Sequence, residues 1–185
     1  MQVAELRPFN TDINYIEIIR CSINFEDHRA LILSLTTFDT FTYILQKTKQ
    51  TYKYVKPFSK TFKQFVFNNI TYNITPKNGE VQVYSLNPIS VMKKVDNCVA
   101  IGYHKKKLSI LNFPSTTNYD DIRYITRTTF RISNRIFINF DELTSSSVEC
   151  QEKTYHMYAN YNHDTNVDWD TISTEISRVW STIAS

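Results

Sequence analysis

Residues 62–86 read FKQFVFNNITYNITPKNGEVQVYSL. Asn78-Gly79 favours a type I′ turn, because both positions tolerate positive φ. Pairing outward from a two-residue loop sets Ile74 opposite Val83, with Tyr72 on the same face. An apolar face that agrees with the register of the turn predicts a β-hairpin.

Outward from this hairpin the same alternation recurs. Tyr15 to Phe25 places Tyr15, Ile19, Cys21, Ile23 and Phe25 on one face, and Leu31, Leu33 and Leu35 continue it after the Glu26-Asp27-His28-Arg29 turn. The period then changes. Phe38, Phe41, Leu45, Tyr52 and Val55 recur at helical spacing, with Thr48 filling the gap in the stripe. Thr36 followed by Asp39 reads as the cap of that helix, and Pro57 lies just past its end. A second hairpin is expected to join Cys98–Tyr103 to Leu108–Phe113 through His104-Lys105-Lys106-Lys107. A third is expected to join Tyr124–Ile132 to Arg135–Phe140 through Ser133-Asn134, and Val148 to Tyr161 supplies one more strand. Asp168 opens a final helix whose stripe is Trp169, Ile172, Ile176, Val179, Trp180 and Ile183. That stripe is expected to pack on the sheet. Its other use would be to dock a partner through Trp169, Ile172, Ile176 and Trp180.

No repeat or Pro/Gly/Ser-rich linker divides the 185 residues, so the expectation is a single domain over 1–185,. The fold class expected is α+β: a mostly antiparallel sheet built from hairpins, packed with two amphipathic helices over about 36–55 and 168–183.

Glycine is the compositional outlier. Only Gly79 and Gly102 occur, against an average of roughly 7%. Two isolated glycines allow no Walker loop, no dinucleotide fingerprint and no glycine-flanked serine elbow. The start of the chain carries no apolar signal segment, and no run approaches a membrane span. Cys21, Cys98 and Cys150 are widely spaced and odd in number, which reads as free thiols in a reducing, cytoplasmic setting, host cytoplasm or virion if the chain is viral,. The sequons at Asn69 and Asn73 then read as strand residues. Cys150, His156 and His163 come nearest to a ligand cluster, but their spacing fits no standard zinc pattern. His28 and His104 stand apart from them. Asp120-Asp121 and Asp141-Glu142 are paired carboxylates, read as turn chemistry ahead of cation binding. No catalytic residue, metal or cofactor is expected.

Charge is where the sequence speaks most clearly. Residues 1–138 hold 19 Lys/Arg against 10 Asp/Glu, a net of +9, whereas residues 139–185 hold 2 against 8, a net of −6. The total of +3 conceals this polarity. From Thr40 to Gly79 there is no acid, and Lys47, Lys49, Lys53, Lys56, Lys60, Lys63 and Lys77 alternate with aromatic residues. Helix-dipole complementation accounts for Lys49 and Lys53 but not for Lys56, Lys60 or Lys63. Arg123, Arg127 and Arg131 share one face of a strand, roughly 13 Å apart at the standard rise. Lys105, Lys106 and Lys107 make a third basic element. Together these residues predict binding to an anionic surface.

Polarity, basic patches and missing catalytic motifs point to a non-enzymatic structural protein, viral matrix-like or coat-associated, that self-associates on an anionic membrane or nucleoprotein. The alternative is a non-specific RNA-binding accessory protein such as a silencing suppressor. The low glycine with abundant Asn, Thr, Ile and Tyr suits an AT-rich viral or parasite genome. Homo-oligomers, an anionic membrane surface and nucleic acid are the partners expected, with no small-molecule substrate evident.

Overall fold

A computed structural model describes residues 2–5, 15–20, 29–32, 35–67, 70–75, 79, 81–95, 98–108, 122–145, 153–162, 175, 178 and 179. Eleven strands and one helix form among them: β1 (Gln2–Glu5), β2 (Tyr15–Arg20), β3 (Arg29–Ile32), β4 (Leu35–Thr36), α1 (Phe38–Thr51), β5 (Phe58–Phe67), β6 (Ile70–Ile74), β7 (Val81–Val95), β8 (Cys98–Lys107), β9 (Arg123–Arg131), β10 (Ile136–Ser145) and β11 (Lys153–Asn162).

Following the hydrogen-bonded neighbours gives β10-β9-β5-β6-β7-β8-β2-β11, and β11 then pairs with β10 from Ile136↔Tyr161 to Thr144↔Lys153. The eight strands therefore close on themselves, every pairing antiparallel. β2 covers only the Tyr158–Asn162 half of β11, and β4 takes the same edge at Tyr155 and His156. β1 and β3 form a separate two-stranded sheet.

The apolar core lies outside this ring. Strand alternation turns Phe130, Ile136, Ile138, Phe140, Met157, Ala159 and Tyr161 outward, where Phe41 and Ile44 of α1 cover them,. Phe140 meets both Phe41 and Phe130 edge to face, with ring centroids 5.7 Å apart in each pair,. Thr48 sits in the same helix face because its hydroxyl donates to the Ile44 carbonyl at 2.7 Å,. Phe130 is 0% exposed. Phe130→Ala should therefore cost about 3–5 kcal/mol, a fall in Tm of roughly 6–20 °C at about 2–4 °C per kcal/mol. Thermal melting followed by circular dichroism checks this, and a drop of only a degree or two would place the core elsewhere.

These elements correct several expectations. The fold is dominated by one antiparallel sheet with α1 as the helical element, so the α+β class with two amphipathic helices does not hold. Of the second helix, 168–183, only Glu175, Arg178 and Val179 are described; they are helical, and Val179 joins the core against α1. Its docking residues Trp169, Ile172, Ile176 and Trp180 lie outside the described residues. The cap of α1 is Thr37, whose hydroxyl accepts from the Thr40 amide at 3.2 Å, one residue later than read from the sequence.

The 62–86 hairpin forms with a longer loop. Gly79 has φ +63° and its amide donates to the Thr75 carbonyl at 3.0 Å, so Ile74 opposes Val81 and Tyr72 opposes Val83. A shift of two keeps every side chain on its expected face. The lysine tripeptide is not a turn: β8 runs unbroken through Lys107 and pairs with β7. Asp141-Glu142 is mid-strand in β10, where Asp141 faces inward and Glu142 outward to Lys153 at 2.8 Å. The Ser133-Asn134 turn does join β9 to β10. Asp120-Asp121, Cys21, Cys150, His28, His163 and Lys77 lie outside the described residues.

Candidate active site

Because the core is outside, the inner face of the ring is free to be polar. A cavity of about 220 Å³ occupies it, lined by Tyr15, Phe58, Lys60, Phe62, Asn73, Gln82, Lys105, Arg127, Thr129, Phe137, Asn139, Tyr158 and Asn160. A small closed barrel leaves room for about one small ligand. Among the described residues, three cations and no carboxylate line this chamber.

Arg127, in the middle of β9, is its best-fixed group. Its Nε donates to Asp141 Oδ1 and its Nη2 to Asp141 Oδ2, both at 2.8 Å. The guanidinium lies over the Phe62 ring at 5.0 Å and the Tyr158 ring at 5.7 Å,. Asp141 is 4% exposed, and Tyr158 donates to its Oδ2 at 3.4 Å. Burial works against the charge on Arg127, but Tyr158 and the Asp141 carboxylate outweigh it and keep the group protonated.

Lys105 reaches in from β8 with its Nζ 4.8 Å from the Tyr15 ring centre and 4.7 Å from that of Tyr84. Water reaches Lys105 inside the ring, yet protein surrounds it. That enclosure, with the like charge of Arg127, pulls its pKa below the ordinary lysine range,. Glu17 stands two residues along β2 from Tyr15 and accepts the Tyr15 hydroxyl at 3.1 Å. Burial raises its pKa, against the opposing effects of the Tyr15 hydrogen bond and Arg127. His156 is pushed down by burial and by Arg123, against the pull of Asp141.

Amides hold the remaining wall. Gln64 Nε2 donates to Asn73 Oδ1 at 2.9 Å, and Asn73 Nδ2 to the Tyr84 hydroxyl at 3.4 Å. The Thr129 hydroxyl donates to Asn139 Oδ1 at 2.8 Å, and Asn139 Nδ2 to Asn160. Deeper along β5, β9 and β10, Phe62, Ile125 and Leu143 form a buried apolar floor on the Arg127 side. The polar chamber therefore faces the end where β5 begins and β9 finishes.

Of the basic residues singled out from the sequence, Lys60, Lys105 and Arg127 line the chamber. Lys107 and Arg131 share its face nearer the mouth, and the Arg131 guanidinium lies 5.9 Å from the Phe137 ring centre. Arg123 is on the same face at the far end, beside Gln64. Lys63 and Lys106 point out of the ring by strand alternation,. Lys47, Lys49, Lys53 and Lys56 lie on α1 and the segment after it, outside the ring. The single basic surface read from the sequence is thus two surfaces, one internal.

No protein-family model matches the chain, and no curated protein resembles it in sequence. Solved structures do resemble it in shape. Its fold is similar to that of RNA triphosphatases. The S. pombe Pct1 RNA triphosphatase superposes with a TM-score of 0.66 at 11% identity, over 91% of this chain and 77% of that one. The Mimivirus capping enzyme triphosphatase gives 0.62 at 11% identity, over 95% of this chain and 91% of that one. A further crystal form of the Mimivirus domain gives 0.60 at 12%, over 93% and 90%.

This likeness overturns the expected non-enzymatic assembly protein, matrix-like or coat-associated. It equally overturns the RNA-binding accessory alternative and the expectation that the chain is not an enzyme, because the fold is shared with enzyme domains. On partners, the S. pombe protein is also seen in complex with the Spt5 CTD, so a member of this fold takes a protein partner. No helix among the described residues is long and apolar enough to cross a membrane.

Sequence reasoning missed Glu17, Asp141, Asn139, Tyr158 and Asn160 as site residues. The signal was present in Ile136-Phe137-Ile138-Asn139-Phe140-Asp141. Polar groups on one face of a strand whose other face is buried mark a wet interior.

Proposed function

We propose that this chain is a phosphohydrolase of the RNA triphosphatase kind, acting on the 5′-triphosphate end of an RNA held in the chamber. The observation that carries it is the enclosed wall of Lys60, Lys105 and Arg127, with no carboxylate among the described residues that line it, in a fold shared with triphosphatase domains.

Phosphoryl transfer is mostly positioning and charge stabilisation. Lys60, Lys105 and Arg127 bind the non-bridging oxygens and take up the charge that develops on the departing diphosphate. Water attacks the γ-phosphorus, and the bond to the β–γ bridging oxygen breaks with its electron pair going to the RNA diphosphate. Glu17, the buried carboxylate beside the cations, orients that water and accepts its proton. Sites of this chemistry often hold Mg²⁺ through one or two carboxylates and the substrate phosphates. Here Asp141 is spent on Arg127, and no group of three or more His, Cys, Asp or Glu side chains comes together among the described residues. This donor set does not fit a preformed metal cage, so every step runs through the wall itself.

The test is release of γ-labelled phosphate from a 5′-triphosphate RNA, leaving a diphosphate end. No release, or release of diphosphate, sinks the reading. The pH profile of kcat/KM sharpens it. Glu17 must be deprotonated, so activity rises with pH through a pKa raised above the usual ~4.3,. Lys105 must be protonated, so activity falls with pH through a pKa below the usual ~10.4,. Lys105→Arg should move the alkaline limb upward, because a guanidinium stays charged to about pH 12; an unmoved limb would belong to another group.

A further inference from the structure

The rim of the chamber mouth carries more than the chamber needs. β5 enters the ring at this end, and the segment before it holds Lys53, Tyr54, Lys56 and then Phe58. Tyr54 is 91% exposed, and Lys53 Nζ lies 5.1 Å from its ring centre. Phe58 is 54% exposed while also lining the chamber. Across the ring, the β9–β10 turn brings Arg131 and Arg135 to the same end, and β8 finishes there with Lys107. Among the described residues around this rim there is no carboxylate. At the far end the wall is different: Glu142 and Lys153 neutralise each other at 2.8 Å, and the apolar floor of Phe62, Ile125 and Leu143 lies between that end and the cations.

Exposed aromatic rings interleaved with cations are what a single strand needs, since bases stack on rings while phosphates track the charges. An exposed Tyr54 serves no packing purpose. We infer that the RNA enters by this mouth and that its first nucleotides lie along Phe58, Tyr54, Lys53 and Lys56, so that this outer track, rather than the chamber, makes the enzyme prefer RNA to free polyphosphate. The inference rests on the triphosphatase reading of the chamber.

Titration calorimetry of the full chain separates the two. The probes are inorganic tripolyphosphate, which reaches only the chamber, and a short unstructured RNA with a 5′-triphosphate, which reaches both. Wild type should bind the RNA more tightly than tripolyphosphate. Tyr54→Ala should weaken RNA binding about tenfold, as expected for one lost stacking contact. Lys53→Gln with Lys56→Gln should flatten the salt dependence of RNA binding by about 1.4 in log–log slope, at ~0.7 per phosphate contact. Tripolyphosphate affinity should stay within about twofold in these variants, none of which touches the chamber wall. Unchanged RNA affinity beside normal tripolyphosphate binding overturns the track and leaves the chamber reading standing. Equal losses for both probes also overturn it, because the effect would then come from the chamber. Absence of tripolyphosphate binding in wild type removes the chamber reading, and the track falls with it.

Discussion

Arg127→Met should melt well below the wild type and bind no tripolyphosphate. The variant strips Asp141 of two charge-assisted hydrogen bonds at 2.8 Å and leaves a carboxylate that is 4% exposed without a counter-charge. Breaking such a pair by deleting one partner costs about 3–5 kcal/mol. Arg127 retains 28% side-chain exposure, which admits water and puts the cost at the lower end of that range. A fall in Tm of roughly 6–12 °C follows at about 2–4 °C per kcal/mol. A misfolded variant would also fail to bind, so Arg127→Met combined with Asp141→Leu is the companion measurement. With neither charge left, the double variant should recover most of the lost Tm and still bind no tripolyphosphate. Recovery of binding together with stability would show that Arg127 is a structural ion-pair partner and not a phosphate ligand.

Glu17→Gln should lower kcat by about 10²–10⁴-fold, the usual worth of a positioned general base, while making the protein more stable at neutral pH. The sign follows from linkage. Burial raises the folded-state pKa of Glu17 above its unfolded value, so the folded protein holds that proton more tightly than the unfolded chain,. The stability linked to that proton is complete below the unfolded pKa, near 4.3, and is lost as pH rises through the folded pKa. Glutamine carries no charge to desolvate, so its advantage in Tm should be present at pH 7.5 and shrink towards pH 4. An unchanged kcat would remove Glu17 from the mechanism. A lower Tm at pH 7.5 would show that the carboxylate stabilises the ring as a charged group.

Much of the local structure is legible in the sequence because it rests on local causes. α1 follows from the 3.6-residue stripe that includes Phe41 and from a threonine cap, and the difference of one residue reflects two adjacent threonines able to serve. The faces of the 62–86 hairpin survive a changed loop because a shift of two leaves parity intact. The full length of β8 is hidden because Lys105, Lys106 and Lys107 look like a solvated tip. In the fold the strand runs on through them, and Lys105 faces a chamber that water enters. Asp141-Glu142 looks like a turn for the same reason, since a strand between a wet interior and the outside water carries acids on both faces. Nothing local reveals the closure itself. It depends on β2 pairing with β11, and Glu17 gains meaning only when Arg127 and Lys105, from distant strands, arrive opposite it.

That closing seam also governs how the molecule is made. Tyr15 pairs with Asn162, so the first strand of the ring has one of its two neighbours only after some 140 further residues have left the ribosome. At about 5–20 residues per second that wait lasts roughly 7–28 s. Throughout it, the backbone amides and carbonyls along one side of β2 are an open template for any other extended chain. Crowded synthesis therefore selects for something to shield that side, a chaperone or slow initiation, and yield at high expression becomes a property of the seam more than of the core.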